Sequence, residues 1–237
     1  MTATVLITGA AHRIGRALSL HFHAKGWSVV LHARHSIAKA RQLANQFNEE
    51  RPDSASVWIA DFSDTSSLPQ ATHDLCANHP SLSSVIHNAA EFFPTTAQDV
   101  SSSLNLLHSN TVAPMVISEL CRPTLAKHRG SILYLSDAQL DRAHQNYLAY
   151  YTSKAALDYL SKQHAKQFAP HVRVNTLSLG HIISPEGTQH PDMLKPDLAQ
   201  QNLLQKAGSV QEVCEAAWFL TALATHTTGQ NLSVNGG

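Results

Sequence analysis

The sequence predicts a doubly wound α/β domain built on one parallel sheet of seven strands. Three observations carry that prediction. Short apolar runs alternate with amphipathic helical patterns from end to end. The runs are continuously apolar, as in Val5-Leu6-Ile7 and Val29-Val30-Leu31, which suits strands covered on both faces by crossover helices. A glycine-bearing turn joins the first run to the first helical pattern, and such folds bind ligands at the carboxyl ends of their strands. With 237 residues, the whole chain (1–237) reads as a single domain with a sizeable core.

The elements follow in order. Strand Thr4–Thr8 leads through the glycine turn into helix Ile14–Lys25. Strand Ser28–Ala33, helix Ile37–Glu50, strand Ser56–Ala60 and helix Ser66–Asn78 complete the first half. The second half opens with strand Ser84–Asn88, and the stretch from Glu91 to Gln98 after it lacks strong periodicity. A long helix, Asp99–Lys127, leads to strand Ser131–Ser136, and helix Leu148–Phe168 leads to strand Arg173–Ser178. Gly180 to Pro196 is again irregular, carrying Gly180, Pro185, Gly187, Pro191 and Pro196, with further helix expected near Asp197–Lys206. This region, about 180–206, is read as a substrate loop, since a long irregular connection in a compact domain usually has a role; the alternative is an ordinary surface connection. Helix Val210–Ala224 and strand Leu232–Val234 close the chain.

Composition excludes several classes. Hydrophobic residues make up 43% and charged residues only 14%, against a usual charged share of about 25%, so charge-driven disorder is excluded. Seventeen Lys plus Arg balance seventeen Asp plus Glu, which argues against a nucleic-acid or anionic-membrane surface. No apolar stretch approaches the ~20 residues of a membrane span. The three cysteines, Cys76, Cys121 and Cys214, form neither a disulfide framework nor a Cys-x-x-Cys pair, and the expectation is a soluble cytoplasmic protein. The 16 histidines are scattered without a His-Glu-x-x-His pattern, so no metal is expected.

The turn reads Thr8-Gly9-Ala10-Ala11-His12-Arg13-Ile14-Gly15-Arg16. Gly9 allows the tight turn, Gly15 allows close helix-to-sheet packing, and the helix that starts there aims free amides at a pyrophosphate. This is a Rossmann-type arrangement, and Gly9, His12, Arg13, Ile14 and Gly15 are its candidate cofactor contacts. The second strand ends Leu31-His32-Ala33-Arg34-His35-Ser36 with no carboxylate. A basic residue there accommodates a 2′-phosphate, so Arg34, His35 and Ser36 predict NADPH rather than NADH. Solvated charges opening the next helix are the alternative. Together with Arg13, Arg16, His12 and His32 they predict a local basic pocket in a formally neutral chain.

Tyr150 and Lys154 lie four residues apart at the start of a helical pattern and so share one face. An ammonium beside the phenol is expected to lower the tyrosine pKa from ~10 and to equip Tyr150 for proton transfer.

With both motifs in one chain, the sequence resembles the short-chain dehydrogenase/reductase family over nearly its whole length. Asn88 and Ala89, in His87-Asn88-Ala89-Ala90, look like the family's Asn-Asn-Ala-Gly at the cofactor. Asn110 matches the helix asparagine of the family's proton relay, and Asp61 the aspartate beside the adenine. Gly180 stands in the family's Pro-Gly, with Leu179 in place of proline. Val234-Asn235-Gly236-Gly237 is similar to the terminal Val-Asp-Gly-Gly.

Two departures narrow the resemblance. Arg13 replaces a turn glycine, and Asp137 stands where a catalytic serine is usual, with Ser136 one residue earlier. Both features resemble pteridine reductases and bacterial dihydromonapterin reductases. By that resemblance, Phe92 stacks on a pterin, and Arg13, Asp137 and Tyr150 contact it. Asp137, Tyr150, Lys154 and Asn110 form the catalytic set, and the enzyme is a homotetramer. The alternatives are packing alone for Phe92, and a strand-end cap at Asp137 with Ser136 catalytic. For function, they are a short-chain carbonyl reductase or a catalytically silent NADPH-binding module.

Overall fold

Alternation along the strands builds two separate cores. In β1 (Thr4–Ile7), Val5 and Ile7 join one apolar cluster and Leu6 the other. In β2 (Ser28–Ala33), Val29 and Leu31 part from Val30 in the same way. A strand whose successive side chains point to opposite faces, all of them apolar, must be covered on both sides. The computed structural model describes residues 2–96, 98–141, 146–183 and 202–237 and shows that cover.

On one face lie α1 (Arg13–Ala24), α2 (Ile37–Glu50) and α7 (Val210–Trp218), which contribute Leu18, Phe22, Leu43, Phe47 and Val213. On the other lie α3 (Leu68–Asn78), α5 (Ala113–Lys127) and α6 (Leu148–Phe168), with Leu68, Leu75, Ile117 and Leu157. Between them run β3 (Ala55–Ile59), β2, β1, β4 (Leu82–His87), β5 (Ser131–Asp137), β6 (Arg173–Leu179) and the last strand, β9 (Asn231–Val234), in that spatial order and all parallel. The strand order reverses between β1 and β4, which opens a crevice above the carboxyl end of β1. The predicted fold class and its seven strands are therefore present.

Three differences from the sequence reading have physical causes. The stretch read as one helix, Asp99–Lys127, is α4 (Val100–Leu107), a π turn over His108–Val112 and then α5. The amide of Ala113 donates to the carbonyl of His108, five residues back. Such single-turn bulges occur inside α-helices and frequently at functional sites. A second π turn, Phe219–Leu223, ends the helix read as Val210–Ala224, with Ala224 N donating to Phe219 O at 2.8 Å. There Arg173 donates to the carbonyls of Leu220 and Thr221, at 2.7 and 2.6 Å.

A two-residue pair, β7 (Ile182–Ile183) with β8 (Gly208–Ser209), was not expected either. The expected substrate loop falls largely on 184–201, outside the described residues, as do Pro185, Gly187, Pro191 and Pro196. Of the helix expected near Asp197–Lys206, the described part, 202–206, is not helical.

Leu179 continues β6 where the family pattern has proline. It pairs with Val234, and its carbonyl accepts from Ala138 N at 2.9 Å. Among the described residues no helix is long and apolar enough to cross a membrane.

Candidate active site

The crevice between β1 and β4 opens into a cavity of about 700 Å³. Residues from eight regions of the sequence line it: the first turn, the end of β2, Phe62 after β3, the segment after β4, Ser109 in the first π turn, the end of β5, the start of α6 and the end of β6.

The turn is held from both neighbouring strands. The Thr8 hydroxyl oxygen accepts from the amides of Asn88 and Ala89, each at 2.9 Å, and Asn88 Nδ2 donates to the carbonyls of Thr8 and Gly9 at 2.8 and 3.3 Å. On the other side Gly9 N donates to His32 Nδ1 at 3.0 Å, and Ala10 N to the carbonyl of His32 at 3.0 Å. Gly9 stands at φ 65°, and a Cβ built there would lie 3.1 Å from Ala89 Cα. At Gly15 a Cβ would run into the carbonyl of Gly9. The expected roles of these two glycines in turn and packing thus match the geometry. The backbone forms a cradle at the N-terminus of α1 of the kind that receives phosphate groups. Arg13, at φ 44°, holds the same left-handed region without being glycine, a conformation that costs a non-glycine residue about 1 kcal/mol.

His32 corrects one expectation. It was grouped with the basic residues of the pocket, but it is buried, stacks on Phe62 at 4.2 Å, accepts from Gly9 N and bonds the carbonyl of Ala60 through Nε2 at 3.1 Å. These partners require a neutral ring with its proton on Nε2, and burial holds its pKa down to about 4. His32 is therefore a structural strut. His12 shares a hydrogen bond with Ser36 at 2.6 Å, and both line the cavity with His35.

Arg34 lies where the second strand predicted it, but it is engaged. Its Nη1 is 2.6 Å from Glu91 Oε1 and 3.6 Å from Asp61 Oδ1. Burial would raise the Asp61 carboxyl; hydrogen bonds from Ser63 and the charges of Arg34 and His35 bring it below its usual range instead. Gly180 donates to the carbonyl of Val234 at 2.9 Å and packs against Asn235, where a Cβ would come within 2.7 Å of Asn235 Cα.

At the far end of the cavity, Tyr150 donates from its hydroxyl to Asp137 Oδ2 at 3.1 Å, while Asp137 Oδ1 accepts from Gln139 N at 2.8 Å. Asp137 thus faces Tyr150, and the Ser136 side chain is buried. Lys154 is buried and donates to the carbonyl of Leu135 at 2.9 Å, with its ammonium 5.8 Å from the Tyr150 ring centre. The expected lowering of the Tyr150 pKa is reversed, since burial first and the Asp137 carboxylate second raise it. Burial also lowers Lys154 to about 8, against the opposing pull of Asp137 and Asp158. The spacing of four puts both residues on one helix face, and the hydrogen bond of the ammonium goes to the Leu135 carbonyl.

Asn110 sits in the first π turn. It accepts from Glu91 N at 2.8 Å, donates to the carbonyl of Glu91 at 2.9 Å, and donates to the Ser153 hydroxyl at 3.1 Å. Phe92 stacks on Tyr147 at 4.7 Å with planes 13° apart and meets Tyr150 edge-on at 4.6 Å. Tyr147 and Glu91 escaped the sequence reading, because neither belongs to a spaced motif and each acquires its partner only through the strand order.

Comparison with known proteins gives consistent relatives. Residues 9–237 match the family described as enoyl-(acyl carrier protein) reductase. Pteridine reductase 1 of Leishmania tarentolae is 31% identical, covering 98% of this chain and 94% of its own length. Protein FixR of Bradyrhizobium diazoefficiens is 30% identical, over 98% of this chain and 85% of its own length. Dihydromonapterin reductase of Klebsiella pneumoniae is 26% identical, over 98% and 95%.

Proposed function

Because this chain belongs to the short-chain dehydrogenase/reductase family and is an oxidoreductase with a nicotinamide cofactor, we propose that it is an NADPH-dependent reductase of a pterin ring. The observation that carries the substrate reading is the Tyr150–Asp137 hydrogen bond at 3.1 Å beside the stacked Phe92–Tyr147 pair. A pterin is a flat heteroaromatic ring with an amidine-like edge of N–H donors. The outer side of the stacked Phe92–Tyr147 pair, which lines the cavity, would receive such a ring, and Asp137 offers an acceptor that can bind such an edge. The Leishmania and Klebsiella relatives bear the names of pterin reductases, and these names support the same substrate class.

The residues of the first turn fit a dinucleotide, since Gly9 turns the chain at φ 65° and Gly15, where a Cβ would run into the Gly9 carbonyl, brings the two close, so that the turn presents the amino end of α1. Arg34, His35 and Ser36 would hold the 2′-phosphate, with Asp61 near the adenine and Asn88, Ala89 and Gly180 along the cofactor. When bound, the nicotinamide supplies a hydride to a C=N carbon. The adjacent nitrogen then needs a proton. Tyr150 is placed to give it, because its side chain lines the cavity and its hydroxyl lies 3.1 Å from Asp137. Asp137, oriented by Gln139 N, holds that hydroxyl in place and can relay a proton through water. Lys154 would bind the ribose, and Asn110 fixes the Glu91–Phe92 backbone beneath the substrate.

The test is an NADPH oxidation assay with dihydromonapterin, dihydrobiopterin, dihydrofolate and a panel of ketones and ketoacyl thioesters side by side. Turnover of the pterins above the carbonyls is the expected result. Turnover of carbonyls alone would make this a carbonyl reductase, and NADPH binding without any turnover would make it a binding module.

A further inference from the structure

Arg34 follows β2 and Glu91 follows β4, and the strand between those two is β1, which carries the Gly9 turn at its carboxyl end. Their ion pair, 2.6 Å from Nη1 to Oε1, therefore crosses the crevice where the strand order reverses. Neither side chain is solvated freely, with 32% exposure for Arg34 and 24% for Glu91, so the pair is screened less than a surface pair. The Glu91 backbone is also fixed, because Asn110 takes its amide and its carbonyl at 2.8 and 2.9 Å. A carboxylate on so constrained a backbone is held at Arg34 rather than passing by it.

We propose that Glu91 is a specificity-determining residue for the dinucleotide, an internal anion that holds Arg34 and that a 2′-phosphate must displace. The proposal rests on the reading that Arg34 receives that phosphate. A guanidinium has donors for more than one acceptor, but Glu91 and Asp61 already share its Nη1 face. A phosphate arriving there meets two carboxylates, and like charges brought to one site oppose each other. Glu91 thus weakens NADPH binding and leaves NADH, which brings no 2′-phosphate, almost untouched. Discrimination between the two cofactors is set by the repulsive group as well as by the attractive one.

The experiment is equilibrium binding of NADPH and of NADH to the full chain, read by tryptophan fluorescence quenching, for the wild type, Glu91→Gln, Arg34→Gln and the double variant. Gln keeps the size of Glu91 and its backbone bonds to Asn110. The NADPH dissociation constant is expected to fall about three- to tenfold in Glu91→Gln, with less than about a twofold change for NADH. In the Arg34→Gln background the gain should vanish, since the competition acts through Arg34. An unchanged or weaker NADPH affinity in Glu91→Gln would overturn the inference, as would an equal gain for both dinucleotides or a gain that survives loss of Arg34. In those cases a wild type that binds NADPH leaves the cofactor reading standing. A wild type that binds neither dinucleotide overturns that reading and the inference together.

Discussion

Burial and the Asp137 carboxylate, at which its hydroxyl points, both oppose ionisation of Tyr150. Removing only that hydroxyl, in Tyr150→Phe, should lower turnover by at least about a hundredfold while NADPH binding stays near the wild-type value; steady-state kinetics beside a binding titration will show it. At the other end of the cavity, Arg34→Asp replaces a cation with an anion between Asp61 and Glu91. The KM for NADPH should then rise far more than that for NADH, and an unmoved preference would remove Arg34 from the cofactor site. Much of this site was legible, because Gly9, Gly15, Tyr150 and Lys154 announce themselves by spacing and residue type. Glu91 and Tyr147 were not, since an ion pair or a ring stack between segments far apart in sequence has no local pattern. The protonation of Tyr150 follows the same logic. Spacing puts an ammonium on the right helix face, but burial and the neighbouring carboxylate decide the sign.

Strands and helices were legible wherever a hydrophobic run or a period of 3.6 marked them, which is why the seven strands stand within a residue or two of expectation. The π turns were not, because one additional residue in a helical turn leaves an apolar stripe that reads through without a break. The first of them delivers Asn110 to the backbone of Glu91 and to Ser153, so a turn that no periodicity marks positions a residue of the cavity wall. The start of α7 is more conventional. Ser209 accepts from Glu212 N at 3.2 Å, and Glu212 accepts from Ser209 N, completing a capping box. Loss of an N-cap costs about 1 kcal/mol, so Ser209→Ala should lower the melting temperature by roughly 2–4 °C without changing the KM for NADPH. A calorimetric scan with a parallel kinetic assay reads both.

For the molecule as a whole, the histidine excess becomes a statement about acid stability. His87 shares a hydrogen bond with Ser118 at 2.8 Å. Ser118 is bonded to Tyr134 at 2.7 Å, and Tyr134 to His164 at 2.7 Å, so a polar chain runs through the core between β4, α5, β5 and α6. Burial lowers His87 to about 3 and His164 to about 4, as it lowers His32 to about 4. Each binds its proton in the unfolded chain near pH ~6.5 and in the folded chain only well below that. The contribution of these histidines to stability should therefore be level above about pH 6.5 and fall as pH drops toward 4, by up to about 1.4 kcal/mol per pH unit for each. Urea melts between pH 7 and 5 measure the slope, and a slope unchanged in His164→Gln would exclude that residue from it.

The reversal of strand order has a mechanical consequence. The half of the chain that ends with α3 and the half that begins with β4 meet along one seam, the β1–β4 ladder with α3 against α5 and α1 against α7. A dinucleotide lying over that seam would touch both halves and act as a brace between them. At a concentration of about a hundred times its dissociation constant, NADPH should add about 2.7 kcal/mol, a rise of roughly 5–10 °C in the melting temperature. The two halves should unfold together rather than one after the other, and the crevice that admits the cofactor becomes the joint that the cofactor stiffens.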